Sequence, residues 1–241
     1  MKIYGLMKTT LLDYPGKVAS TVFLGGCNFR CEFCHNMDLI TDLNNVKEIP
    51  FSDVIDHFRL RKGVIDGVCI TGGEPTLYPD LIDLITAVKE MGLLVKLDSN
   101  GSKTRVLEDL IAKKLLDYIA IDVKASFNKY PSICGLSKCL DSESQITDVL
   151  NNVSDTINML INQDLIDYEF RTTVIREYHD EKEFELIGDM LKGASKYFLQ
   201  GYVCSEYVPN QDLHGYSKEE LQKFVPQLSQ KIDYVGIRGM D

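Results

Sequence analysis

The chain alternates between short apolar runs and longer amphipathic ones. The apolar runs cover residues 19–24, 67–71, 93–97, 118–123, 169–175, 197–203 and 234–238. Nearly continuous apolar character over so few residues predicts strands buried on both faces of a parallel sheet. Between them, apolar residues recur at the 3.6-residue period of a helix. "SDVIDHFRLRKG" begins at a capping candidate, Ser52, and stops at Gly63. "DLIDLITAVKEMG" opens at Asp80, sets Leu81, Ile85 and Val88 on one face, and ends at Gly92. "TRVLEDLIAKKLL" follows the third of these strands. Ser142 stands where it would cap a long helix with the stripe Ile146, Val149, Val153, Ile157 and Leu160. "EKEFELIGDMLKG" and "SKEELQKFVPQL" complete the series. The alternation predicts an α/β fold with right-handed βαβ crossovers and a parallel sheet, open or curled into a barrel. No repeat, low-complexity tract or Gly/Ser/Pro linker interrupts it, so residues 1–241 are expected to form one domain.

Composition narrows the setting. Of 241 residues, 44% are hydrophobic, enough for a substantial core. No stretch approaches the length of an uncharged membrane span, and the start "MKIYGLMKTT" lacks the apolar core of a signal peptide. A cytoplasmic protein with no membrane partner is therefore expected. The net charge of -10 argues against a nucleic-acid backbone as the main partner. Seven unevenly spaced cysteines in such a chain point to free thiols or metal ligation rather than a disulfide framework.

Three of those cysteines are concentrated in "GGCNFRCEFCHN", residues 25–36, directly after the first apolar run. Cys27, Cys31 and Cys34 are separated by three and then two residues, so one short loop can wrap three thiolates around a metal centre. A closed zinc site wants four ligands. His35 is too near Cys34 to complete a tetrahedron, and no paired C-x2-C follows. A four-iron cluster with three protein thiolates suits the spacing if its fourth iron binds something else. Further polar groups fall at the ends of later strands, where barrels of this type carry chemistry. In "ITGGEPT", Gly72 and Gly73 permit close approach of backbone to a ligand, and Glu74 supplies a partner for an ammonium group. "KLDSNGS" clusters Asp98, Ser99 and Asn100; "AIDVKA" places Asp122 and Lys124 after a buried strand; "FRTTV" sets Arg171 within one. Each of these, alone, also reads as an ordinary turn or a structural ion pair. Cys69 reads as a small core hydrophobe and Cys204 as a strand end. Cys134 and Cys139 lack the companions for a second metal site, and "DYPGK" reads as a turn.

Taken together, the cysteine loop with Phe33 before its third cysteine resembles the radical S-adenosylmethionine enzymes. The succession "GGEP", "LDSNG", "IDVK" is similar to their glycyl-radical-enzyme activases. The opening "TTLLDYPGKVASTVFLGGCNFRCEFCHN" and the ending "VGIRG" resemble the activating proteins of anaerobic ribonucleoside-triphosphate reductase. The resemblance implies a partial (β/α)6 TIM-like barrel of parallel strands. It implies one [4Fe-4S] cluster on Cys27, Cys31 and Cys34, and S-adenosylmethionine on the unique iron. By motif position, Gly72, Gly73 and Glu74 would hold the methionyl amine, and Phe33 would lie by the adenine. Asp98, Ser99 and Asp122, with the Ala120 carbonyl, match a monovalent-cation site of related pyruvate formate-lyase activases. Lys124 would approach the cofactor's polar end, with Arg171 beside it. A histidine that some relatives use near the last strand has no counterpart, and His214 is not given that role. The implied partners are a glycyl radical enzyme and a flavodoxin or ferredoxin as electron donor. Activation of pyruvate formate-lyase or of another glycyl radical enzyme is an alternative. So is a small-molecule radical reaction such as that of 7-carboxy-7-deazaguanine synthase.

Overall fold

The computed structural model describes residues 1–240. One eight-stranded sheet runs through the chain, its strands in sequence order: β1 (Ile3–Thr10), β2 (Ala19–Leu24), β3 (Gly67–Gly72), β4 (Leu94–Ser99), β5 (Tyr118–Asp122), β6 (Asp167–Val174), β7 (Tyr197–Gly201) and β8 (Val235–Arg238). From β2 to β8 every neighbouring pair is parallel. Parallel neighbours demand crossovers, and helices supply them. Phe51–Arg61 joins β2 to β3, Leu81–Glu90 joins β3 to β4, and Thr104–Ala112 joins β4 to β5. Glu143–Ile161 and Glu181–Met190 serve the next two connections. This is the α/β architecture anticipated from the periodicity. The predicted "SKEELQKFVPQL" helix is two short pieces, Lys218–Gln222 and Val225–Leu228. Pro226 lies in the first turn of the second piece, the position where a missing N–H costs least.

β1 was not legible as a strand. It pairs antiparallel with β2, and its residues Met7, Lys8 and Thr9 are exposed. It therefore lacks the continuous apolar signal of its neighbours. Helix starts also differ in detail. Ser142 accepts from the Gln145 amide at 3.3 Å as anticipated, whereas the helix expected from Ser52 starts at Phe51 behind Pro50.

The sheet curves. Arg171 on β6 reaches past β5 to Asp98 on β4, and a second cavity is lined by Leu11 and Asp13 beyond β1 together with Ile237 and Arg238 of β8. β1 and β8 thus face one another across a gap without pairing among the described residues. The outer layer buries helix faces on the strands: Phe58, Leu84, Ile85, Leu107, Ile157, Phe184 and Ile187 are almost wholly inaccessible. The stripe of Glu143–Ile161 is fully buried only from Val153 onward; Ile146 and Val149 in its first turns pack against the core half-buried.

One ion pair fastens the last strand. The Arg238 guanidinium donates to both carboxylate oxygens of Glu169 on β6, at 2.7 and 2.8 Å. Tyr118 donates to the same carboxylate at 2.8 Å. Glu169 is fully buried, so Arg238→Ala would leave a buried carboxylate with one neutral donor. Loss of a partner from such a pair costs about 3–5 kcal/mol. Chemical denaturation of Arg238→Ala should show a destabilisation in that range. A change below about 1 kcal/mol would mean that β8 is held by its backbone ladder alone.

Candidate active site

Six consecutive strands deliver side chains to one cavity of about 240 Å³ at their C-terminal ends. From the loop after β2 come Cys27, Cys31, Phe33 and Cys34; from β3 and its exit, Thr71, Gly72 and Gly73. Asp98 and Ser99 end β4, Asp122 ends β5 with Lys124 just beyond, Arg171 and Thr173 lie on β6, and Gln200 lies on β7. Residues scattered over 170 positions of sequence thus meet because parallel strands all finish on the same side.

The cysteine loop is held by backbone and amide contacts rather than by helix. Gly73 N–H donates to the Leu24 carbonyl and Glu74 N–H to the Gly26 carbonyl, both at 2.8 Å. A Cβ on Gly73 would fall 1.9 Å from the Gly26 oxygen. The two glycines are therefore required by the approach of two protein loops, where the sequence suggested the approach of a ligand. Asn36 donates to the Gly72 carbonyl at 3.0 Å. Asn100 donates to Asn28 at 2.9 Å, and Asn28 to Ser102 at 2.8 Å. Arg30 closes the loop with its guanidinium on the Cys27 and Phe29 carbonyls. Its own amide donates to the Cys134 carbonyl at 2.8 Å. Cys134 is buried against this loop, and Cys139 is a partly buried free thiol.

Glu74 does not face the cavity. Its carboxylate is buried and accepts from Thr76 N–H at 3.1 Å, Ser99 Oγ at 2.8 Å and Asn100 N–H at 2.7 Å, besides the Thr76 hydroxyl. Burial raises its pKa, against the pull of those hydrogen bonds. It clasps the β3 and β4 exits together. Of the trio expected around an ammonium group, only Gly72 and Gly73 line the cavity.

The floor is a row of alternating charges. Lys96 pairs with Asp98 Oδ1; Arg171 bridges Asp98 Oδ2 at 3.3 Å and Asp122 Oδ1 at 2.9 Å; Lys124 holds Asp122 Oδ2 at 3.0 Å. Burial alone would raise both carboxylates, but the Arg171 and lysine charges outweigh it, and Asp122 falls to about 2. Buried His179 donates or accepts only backbone hydrogen bonds, with Nε2 2.9 Å from the Lys124 carbonyl, and so fixes the chain that carries this lysine. Lys124 Nζ also lies 5.7 Å over the Phe33 ring.

The thiols suit a cluster better than a single ion. All are free, and all three line the cavity. Three thiolates from one loop are enough for a cubane that takes its remaining ligand from a small molecule, whereas a closed zinc site wants four protein ligands. Burial pushes Cys27 up to about 12 and raises Cys34, whereas a hydrogen bond with Cys134 lowers Cys31. A metal must displace those protons to bind. Sequence reasoning did not pick out Lys96, Asn28, Thr173 or Gln200. Polar residues inside the runs "LLVKLDS" and "YFLQG" were the available signal for Lys96 and Gln200.

Residues 21–182 match the family model of the radical SAM superfamily. A Methanocaldococcus jannaschii protein named as a glycyl-radical enzyme activating enzyme is 34% identical over 204 residues, which cover 83% of this chain and 79% of that one. The pyruvate formate-lyase-activating enzyme of Clostridium pasteurianum is 30% identical, covering 57% of this chain and 58% of its own. Among solved structures, TYW1 with a lysine-pyruvate adduct superposes with a TM-score of 0.62 at 19% identity, over 90% of this chain and 74% of that one. The chain belongs to the radical SAM superfamily. Within it, the chain groups with the glycyl-radical enzyme activating enzymes. No helix among the described residues is long and apolar enough to cross a membrane.

The Asp122 ion pairs give a pH signature. Its folded pKa, about 2, lies below the unfolded carboxylate value of about 3.9. The stabilisation is therefore complete above about pH 4 and lost as pH falls towards 2, and amounts to about 2 kcal/mol. Asp122→Asn should lower stability at neutral pH by at least that amount and flatten the acid limb of the stability profile. An acid limb identical to that of the unaltered protein would exclude Asp122 as its source.

Proposed function

We propose that this chain activates a glycyl radical enzyme, most specifically an anaerobic ribonucleoside-triphosphate reductase, with residues 1–241 acting as one radical SAM unit. The observation that carries the reading is the meeting of three thiols, the Gly72–Gly73 turn and the Asp98/Asp122/Lys124/Arg171 charges around one cavity. Cys27, Cys31 and Cys34 would hold the [4Fe-4S] cluster, with S-adenosylmethionine bound beside it. When bound, the cluster would supply the one-electron reductive cleavage of S-adenosylmethionine that lets hydrogen be taken from a backbone glycine of the partner.

This chain's own residues bind, orient and shield. Lys124 and Arg171 present positive charge to the methionyl carboxylate, and the Gly72–Gly73 backbone receives the amine. Glu74 fixes that turn through Thr76, Ser99 and Asn100. Phe33, whose ring forms part of the cavity wall, gives the adenine an apolar face. The gap between β1 and β8 admits a glycine-bearing loop, which must exclude water and competing C–H bonds as it docks. A flavodoxin or ferredoxin supplies the electron. The motifs at 9–36 and 235–239 favour the reductase as partner. The likeness to pyruvate formate-lyase activators over about half the chain supports the second reading, activation of that enzyme.

Three measurements test this. Anaerobic reconstitution should give about four irons and four sulfides per chain. Cys27→Ala, Cys31→Ala and Cys34→Ala should abolish the cluster, while Cys139→Ala retains it. The reduced protein, mixed with S-adenosylmethionine and each candidate partner, should generate a glycyl radical visible by electron paramagnetic resonance. Deuterium from an α-deuterated glycine of the partner should appear in 5′-deoxyadenosine. Label retained in the partner while a small metabolite supplies the hydrogen would replace the activase reading with a small-molecule radical reaction.

A further inference from the structure

The residues that match a monovalent-cation site are not arranged to receive one. Both oxygens of Asp98 are engaged, by Lys96 and Arg171, and both oxygens of Asp122, by Arg171 and Lys124. The Ser99 hydroxyl is turned away, donating to Glu74 at 2.8 Å and accepting from the Gly101 amide at 3.1 Å. Ala120 stands in the strand ladder between Asp98 and Glu169. A cation entering here would have to displace fixed cations from both carboxylates.

The unusual member of this group is Lys96. It lies two positions before Asp98 on β4, so the strand's alternation sends both side chains into the barrel. Its side chain is 2% exposed. Besides Asp98, the polar atom near Nζ is Cys69 Sγ at 3.8 Å. Burial raises the Cys69 pKa, so that sulfur is a neutral thiol. An ammonium so deeply buried is costly unless its charge is used. The charges of the floor show the use. Within this row, Lys96, Arg171 and Lys124 stand against Asp98 and Asp122, a net of one positive charge beside the place proposed for an anionic carboxylate. Asp13, which lines the cavity on the Lys96 side, is bound by the Thr21 hydroxyl instead. Without Lys96 the remaining four groups would be neutral, and one external cation would be needed to balance that carboxylate.

We infer that the Lys96 ammonium is a built-in replacement for the monovalent cation, so that cofactor binding by this chain is independent of sodium and potassium. Lys96 is a positioning residue in this account. It acts from behind Asp98, so that the two carboxylates do not cancel all of the positive charge that Arg171 and Lys124 bring to the cofactor's side. The inference rests on the S-adenosylmethionine site proposed above.

The test uses the full chain with its cluster reconstituted. The dissociation constant of S-adenosylmethionine is measured in potassium, sodium and choline chloride at one ionic strength. The unaltered protein should change by less than about twofold among the three salts. Lys96→Met should bind about tenfold more weakly in choline, and potassium or sodium should restore most of the loss with a saturable dependence. A purely structural lysine would not create a cation requirement. Saturable dependence on sodium or potassium in the unaltered protein would overturn the inference without need of any variant. So would a Lys96→Met that binds normally in choline, or a loss of affinity that neither cation repairs. Failure of the unaltered protein to bind S-adenosylmethionine in every salt is a different result. It would overturn the activase reading itself, and this inference with it.

Discussion

The Arg171 guanidinium is the contact on which the rest of the interior depends. It reaches from β6 to Asp122 on the adjacent strand and to Asp98 one strand further on. A planar, permanently charged fork suits this bridging, which a lysine could not reproduce. The two carboxylates it joins each have a lysine on the other oxygen, so no charge in the row is left without a partner. Burying five ionised groups is favourable only when each has a close partner, and that requirement fixes the side-by-side placing of three strand ends. The sheet's curvature and the floor of the cavity are two aspects of the same constraint.

Above that floor, the cysteine loop is positioned by backbone. Gly72 and Gly73 allow the β3 exit to lie against Leu24 and the Gly26 carbonyl at a distance that any side chain would prevent. Glu74 then binds the β4 exit to the same turn, and Asn28, Asn36 and Asn100 tie the loop to both. The thiols are thus presented by a scaffold whose hydrogen bonds do not involve them in the main. Their protons are the part left to change when a metal binds. The opposite side of the barrel is built differently. β8 is short, β1 runs antiparallel, and Leu11 and Leu12 between β1 and β2 are exposed. A rigid floor and an open flank are what a site acting on another protein's backbone calls for.

Most of the framework was legible. Seven apolar runs became the seven parallel strands, because a strand covered on both faces must be apolar along its length. The three cysteines, the two glycines of the GGEP turn and the charged strand ends all arrive at one cavity. β1 escaped notice because its outer residues are wetted and its partner is a hairpin neighbour. The orientation of Glu74 was also hidden. A carboxylate beside a glycine turn carries no mark of whether it faces a ligand or the next loop.

The sequence by itself determined the order of strands and helices and the chemical inventory at the strand ends. Those depend on periodicity and on residue type, which are local. Only the tertiary structure decided which charges meet. Lys96, Asp98, Asp122, Lys124 and Arg171 lie up to 75 residues apart, and their pairing follows from strand register and curvature. It likewise decided that Ser99 serves Glu74 and that Asp98 is already occupied. A carboxylate's availability depends on whatever the fold brings within about 3 Å of it, and no local pattern encodes that distance.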